Sequence, residues 1–266
     1  MRHVTTIASR ELRSLFVSPV AYVVLTLWSV IAGTFFLASL LGFQERQIRA
    51  QQFQAFDVLQ EMNLNDHLVE PFIGSMWVIA LFLLPAITMG LVASEKANGT
   101  DELLLTSPLS TWDIVFGKFL AGLGFVGLMT LIVSFFPALL FMYGAPEIGK
   151  TLSGLLALLL VSSTYVAIGV FGSSITRSQL IAFIVTLVLL VIFGMMLPFI
   201  VDISIAGTGL GQDSVFAQAM RWIATGSHLD RMLQGLIDTA DLAYFVISSG
   251  IFLLLSKTVI ESARWR

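Results

Sequence analysis

The chain contains no cysteine, so neither a disulfide frame nor a thiolate metal site can be built from it. Charge is scarce as well. Asp, Glu, Lys and Arg make up 12% of the 266 residues, about half the share usual in a soluble domain. The formal net charge of −3 offers no attraction to a nucleic-acid backbone. Neither H-E-x-x-H nor G-x-S-x-G occurs, which removes the simplest zinc-protease and serine-hydrolase readings. Gly117-Lys118 is not a fragment of an ATP-cradling loop, because the first glycine and the following Ser/Thr are missing. The expectation is therefore a chain that hydrolyses no ATP, binds no cofactor or metal and is not an enzyme. The three histidines, His3, His67 and His228, are far apart in sequence.

What the chain has in excess is apolar residues: 57% are hydrophobic and the mean hydropathy is +0.92. One soluble core cannot hide that much apolar surface, so much of it must face lipid. A helix needs about 20 apolar residues to cross about 30 Å of hydrocarbon. Charge-free runs cover 14–44, 71–94, 119–146, 151–176 and 178–201, and a shorter one covers 242–256. The last reaches full length if Lys257 extends its ammonium to the surface and the helix continues through Val259 and Ile260. These runs predict six spans near 20–42, 72–93, 119–142, 152–172, 179–200 and 241–260. The fold class expected is all-α: a polytopic membrane protein, one domain over 1–266, with no internal repeat. The N-terminal run is too long for a cleavable signal peptide and is expected to stay attached.

Orientation follows from basic residues. One alternating set of segments holds Arg2, Arg10, Arg13, Lys96, Lys118, Arg177, Lys257, Arg264 and Arg266; the other holds Arg46, Arg49, Lys150, Arg221 and Arg231. The richer set marks the cytoplasmic side, which places both termini and the 94–118 segment there. His67 and His228 then share the external side with Met62, Met220 and Met232. A methionine/histidine copper site is one reading of that grouping; ordinary methionine usage is the other. The run interiors hold no Asp, Glu, Lys, Arg or His. Proton- and voltage-driven devices carry such groups inside the membrane, so the energy must come from elsewhere.

The segments between the runs are patterned. Residues 1–18 form an interfacial elbow, with Val4, Ile7, Ala8, Leu12 and Leu15 on one helical face and Arg2, Arg10 and Arg13 on the other, suited to anionic lipid headgroups. Pro19 suits the first turn of span one. In the external 44–70 segment, Phe53, Phe56, Leu59 and Met62 recur by three and predict a helix. Pro85 and Pro137 predict kinks in spans two and three. Asn98-Gly99 is a turn signal, Thr100 an N-cap, and Ser110-x-x-Asp113 a capping box that starts span three. Between them, Leu103, Leu104 and Leu105 are too apolar for a free surface: they either dip into the membrane interface or pack on neighbouring spans, or they meet a partner protein. In the second external segment, Ser214 and Ser227-x-x-Asp230 predict two short helices. The first carries Val215, Phe216, Ala219, Met220 and Ile223 on one face, the second Leu229, Met232, Leu233, Leu236 and Ile237. Glycines at Gly117, Gly122, Gly124, Gly127, Gly169 and Gly172 predict close helix packing.

The pattern Glu95-x-x-x-Gly99-Thr100-x-Glu102-Leu103-Leu104-Leu105-Thr106-x-Pro108, followed by Gly117-Lys118, resembles the permease subunits of type-2 ABC exporters. Glu11-Leu12-Arg13 with 18–22, Leu84-Pro85-Ala86-Ile87-Thr88-Met89 and the terminal 261–266 are similar to the gliding-motility-associated branch; a related branch serves copper-site maturation. Ser94-Glu95-Lys96-Ala97 stands where relatives often show paired acids and arginines. The resemblance implies a bacterial inner-membrane exporter half. A separate ATPase subunit would receive the cytoplasmic coupling helix through Glu95, Gly99, Thr100, Glu102, Leu103, Leu104, Pro108 and Lys118. It implies pairing with a second copy or a second permease, external helices that cap the exit, and ATP used only by the partner. A non-transporting membrane scaffold for a motility or assembly complex is the alternative.

Overall fold

A computed structural model of the chain describes residues 2–55, 57, 62–100, 109–144, 146–197, 200, 203, 215 and 222–264. Among them there is no strand. The helices are α1 (Arg2–Val17), α2 (Pro19–Gln52), α3 (Glu70–Thr88), α4 (Gly90–Asn98), α5 (Thr111–Tyr143), α6 (Ile148–Ile175), α7 (Gln179–Val191), α8 (Thr225–Leu233) and α9 (Thr239–Arg264). π-helical turns at Asn65–Val69 and Ile192–Met196 open α3 and extend α7.

Six helical stretches are long and apolar enough to cross a membrane: Pro19–Gln52, Asn65–Asn98, Thr111–Met142, Ile148–Ile175, Gln179–Met196 and Thr239–Ser262. The chain is an all-α polytopic membrane protein. Most helices outrun the charge-free stretches, because hydropathy reports the part that faces hydrocarbon while the backbone ladder continues into polar sequence. The first has 34 residues, about 50 Å of helix. It therefore absorbs the start of the 44–70 segment. The helix expected over Phe53–Met62 does not start at Phe53: the chain turns there, with Gln54 at φ 51°. Met62 is also non-helical, and 56 and 58–61 lie outside the described residues.

α6 is the central post, packed by α3, α4, α5, α7, α8 and α9. Its buried face is rich in small residues, among them Gly154, Ala157, Ser162, Ala167, Gly169 and Gly172, and these let backbones approach. A Cβ on Gly169 would run into the Thr88 side chain, and one on Gly122 into Val166. Gly127 has open space beside it and does not share this role. Several α6 hydroxyls bond locally or across helices: Ser153 Oγ donates to Met232 O at 2.6 Å, and Thr164 Oγ1 lies 3.1 Å from Ser249 Oγ. Trp28 Nε1 donates to Met129 O at 2.9 Å and pins α2 to α5. α5 runs on through Pro137 as one helix.

The spans run up and down. One end gathers α1, the end of α4 and the start of α5. Lys257 of α9 joins them, paired with Glu261 at 3.2 Å and lying 5.5 Å over the Trp112 ring. The apolar face of α1 is not left for the membrane interface. Ile7 and Leu12 pack on α5 where Gly117 and Gly124 leave room. The other end gathers the start of α3, the start of α6, α8 and the start of α9. There Asn65 Nδ2 donates to Glu147 O at 3.1 Å and to Thr151 Oγ1 at 3.2 Å. α8 starts at Thr225 rather than at Ser227, with Ala224 extended as its cap. Leu229, Met232 and Leu233 are buried as expected, but the helix has ended before Leu236 and Ile237, which are exposed. Ser214 and 216–221 lie outside the described residues, and with them the predicted helix at Ser214.

Candidate functional site

The segment singled out by sequence, 94–118, is described on both flanks. Residues 101–108, including Glu102, Leu103, Leu104 and Pro108, lie outside the described residues. α4 closes at Gly99, whose φ of 67° is left-handed and suits a residue without a Cβ. Thr100 N–H then donates to Glu95 O at 3.0 Å, and the Thr100 hydroxyl to the same carbonyl at 3.3 Å. On the far flank, Ser110 and Asp113 form a reciprocal capping box that starts α5.

Between the two flanks lies a buried charge cluster. Lys118 is 1% exposed. Its ammonium is 2.8 Å from Glu95 Oε2 and 3.3 Å from Glu11 Oε1, and it also donates to the carbonyl of Leu91. Arg10 reaches Glu11 at 2.8 Å and Glu95 at 3.4 Å from the solvent side. Its guanidinium is held above its ordinary range by the Glu11 hydrogen bond, an effect partly offset by desolvation. Two cations and two carboxylates balance, and each carboxylate faces both cations. A buried ion group of this kind is tolerable only when fully paired.

The structure therefore brings Glu95 and Lys118 together and adds Glu11, which nothing in its Glu11-Leu12-Arg13 motif ties to them. Lys118 points into the bundle, so its side chain is engaged inside the chain rather than offered at the surface. Glu11 is the one acid on an otherwise basic α1, and that isolation was the signal for it.

A cavity of about 260 Å³ adjoins the cluster. Glu11, Ser14, Leu15, Ile87, Met89 and Ser94 are among its lining residues, which come from α1, the start of α2, the α3–α4 junction and Gln179.

A second buried group lies at the opposite end. Asp241 is 0% exposed and His228 1%. His228 Nδ1 is 2.5 Å from Asp241 Oδ1, and its Nε2 is 2.8 Å from Trp222 O. Tyr244 stacks on the imidazole at 4.1 Å between ring centroids. Arg231 also donates to Asp241 Oδ1. His67 instead lies 3.4 Å from Arg46, so the two histidines take separate partners. Among the described residues no group of three or more His, Cys, Asp or Glu gathers as a metal site.

One sequence feature requires a correction. Residues 144–151, G-A-P-E-I-G-K-T, do spell the G-x-x-x-x-G-K-[ST] pattern, which the reading from Gly117-Lys118 overlooks. A phosphate-binding loop needs a strand before it and free N–H groups around the phosphate. Here α5 precedes it, Pro146 removes a donor, and the Lys150 ammonium is 3.1 Å from Asp66 and 3.7 Å from Glu147. Thr151 Oγ1 donates to Glu147 O at 3.0 Å. The spelling is present without the surroundings that would bind a phosphate.

A family model described as ABC-2 family transporter protein matches residues 5–260. The chain belongs to this family. It is thus the membrane component of an ABC transporter rather than its ATPase, and family membership implies pairing with an ABC ATPase subunit. No curated protein gives a significant match. The ABC-2 match spans α1 through α9, so it takes in both buried charge groups and both flanks of the 101–108 segment.

Proposed function

We propose that this ABC-2 permease is half of an ATP-driven exporter in a bacterial inner membrane. The 94–118 segment and both termini face the cytoplasm, and the segment docks on a separate ATPase. The observation that carries this is the Lys118 cluster. It ties α1, the end of α4 and the start of α5 into one block. A segment held at both ends by such a block can transmit a push into α4 and α5 instead of absorbing it. Glu102, Leu103 and Leu104 provide the contact, with Gly99, Thr100 and Pro108 shaping the turn. The nine-to-five distribution of basic residues supports the orientation. The resemblance of the 94–118 and 261–266 motifs supports the gliding-motility-associated branch. Two permease chains, identical or paired with a second kind, complete the pathway.

The test is copurification with the co-encoded ATPase and ATP turnover of the complex. Leu103→Asp places a charge in an apolar contact and is expected to abolish the complex. Glu102→Lys is expected to weaken it in a salt-dependent way. Lys150→Ala is expected to leave turnover unchanged. Normal complex and turnover in both coupling variants would overturn the assignment. Labelling of Asn98→Cys from outside intact cells would overturn the orientation.

A further inference from the structure

Span two is not one uninterrupted ladder. α3 ends at Thr88 and α4 begins at Gly90. The Val92 N–H, which in a continuous helix would donate to Thr88 O, donates to Ser173 Oγ of α6 at 2.9 Å, and the Ala93 N–H donates to the same oxygen at 2.9 Å. The Ser173 hydroxyl in turn donates to Met89 O at 2.8 Å. One side chain from a neighbouring helix is thus inserted into the ladder, a recognised cause of helix kinks. Pro85, four residues earlier, has already removed one ladder donor.

Three further features bear on this junction. Met89 keeps right-handed helical dihedrals, φ −55° and ψ −34°, so closing the ladder needs no large backbone rearrangement. On the α3 side, Thr88 is packed so tightly on Gly169 that no Cβ fits there, which makes a fixed fulcrum. On the α4 side, the cavity of about 260 Å³ is lined by Ile87, Met89, Gly90, Leu91 and Ser94, which leaves room to move in an otherwise dense interior.

We propose that Ser173 is the pin of a two-position hinge at Met89, through which α6 sets where α4, and with it the Gly99-Thr100 end, points. With the pin in, α4 lies on α6, where Lys96 Nζ also donates to Ser174 O at 2.5 Å. With the pin out, Val92 N–H closes on Thr88 O. The Ser173 hydroxyl then turns to a carbonyl of its own helix, as Ser174 Oγ already does to Phe171 O at 2.7 Å. Neither position strands a buried backbone donor, so the two lie close in energy. α4 has nine residues, about 13 Å of helix, and a change of roughly 20° at its base moves its tip by about 5 Å. The inference rests on the coupling reading for its use, but the hinge is a property of this chain alone.

The chain has no cysteine, so spin labels at Asn98→Cys and Arg177→Cys report the α4 tip against the end of α6. The distance is measured by pulsed electron resonance on the full chain in lipid nanodiscs. Ser173→Ala is expected to shift the distribution by about 5 Å. Ser174→Ala, which deletes the neighbouring buried hydroxyl without touching α4, is expected to leave it in place. Gly90→Ala adds a Cβ into open space and favours the continuous helix, so it is expected to shift the labels in the same direction as Ser173→Ala. In complex with the ATPase, Ser173→Ala is expected to copurify normally yet lose stimulation of turnover. Unmoved labels in both Ser173→Ala and Gly90→Ala overturn the hinge. Moved labels with normal turnover overturn its part in coupling. Failure of the unsubstituted chain to bind the ATPase would overturn the coupling reading, while the label distance still decides the hinge.

Discussion

At one end of the bundle Lys118 sits between Glu11 and Glu95; at the other, Asp241 sits beneath His228 and Arg231. The first group is balanced and joins three helices, with both carboxylates engaged and Arg10 closing it from solvent. The second joins α8 to the head of α9. It places two donors on one oxygen, Asp241 Oδ1, and leaves Oδ2 with no partner among the described residues. Its cation, Arg231, is 46% exposed and can turn to water. The first is built as a joint between helices that must move together, whereas the second is a clasp with one side open. Removing a member should therefore cost most where no partner can escape to solvent.

Lys118→Met tests that most severely. It leaves Glu11 and Glu95 to share Arg10 alone, with one negative charge uncompensated, and loss of one member of a buried ion group costs about 3–5 kcal/mol. The expected result is a large drop in the thermal unfolding midpoint of the chain in detergent. Lys118→Met combined with Glu95→Gln is expected to recover part of it, since the uncompensated charge is reduced. If the single variant unfolds like the parent, the cluster is not a joint.

Asp241→Asn tests the clasp. The amide keeps an acceptor for His228 and Arg231 but loses the charge, and Arg231 relaxes into solvent. The expected cost is about 1–3 kcal/mol, as for one buried charged hydrogen-bond group. Hydrogen exchange should rise in α8 and the first turn of α9, with α4 and α5 unaffected. A cost equal to that of Lys118→Met would erase the distinction between the ends.

Arg10→Ala sharpens the comparison inside the first cluster. Arg10 is 58% exposed, and exposed pairs contribute about 0.2–1 kcal/mol. The effect should shrink further in high salt, whereas that of Lys118→Met should not. Equal salt sensitivity of the two variants would mean that water reaches Lys118.

The spans were legible because hydrocarbon imposes a simple rule on composition, and the apolar runs located all six. The capping box at Ser110 was legible because it is local. The cluster at Lys118 was not. Glu11, Glu95 and Lys118 are far apart in sequence, and it is tertiary packing, Ile7 on Gly117, Leu12 on Gly124 and Phe16 on Phe125, that brings α1 to α5. Asp241 was missed for a related reason. It stands at the edge of the charge-free run 242–256, where an acid reads as solvated, yet α8 folds back over it. Ser173 looked like any small residue in a close-packed helix, because its bonds go to backbone groups of another span. The G-x-x-x-x-G-K-T spelling shows the converse, a pattern complete in sequence whose meaning depends on a strand that is not there.

The smallest effect concerns two acids flanking the clasp, whose surroundings differ in kind. Asp238 caps α9: its Oδ1 accepts from Ala240 N–H at 3.2 Å and from the Thr239 hydroxyl at 3.3 Å. The Ala240 bond holds its carboxyl below the usual range. Asp230, on α8, has an exposed side chain, yet desolvation by the surrounding chain pushes its carboxyl above the usual range. The signs are opposite. A lowered folded value contributes stability that is full above the unfolded value, about 3.9, and is lost as pH falls through the folded value. A raised one favours the folded state while protonated and becomes a burden as pH rises through the folded value. Asp238→Asn is therefore expected to destabilise slightly at neutral pH, with the difference from the parent shrinking in acid. Asp230→Asn is expected to gain slightly on the parent as pH rises above the ordinary aspartate range. Unfolding midpoints of the two variants and the parent, taken across the acid range, check both. Parallel curves would show that water reaches the two carboxylates equally, and that the clasp leaves its surroundings as wet as the rest of that end.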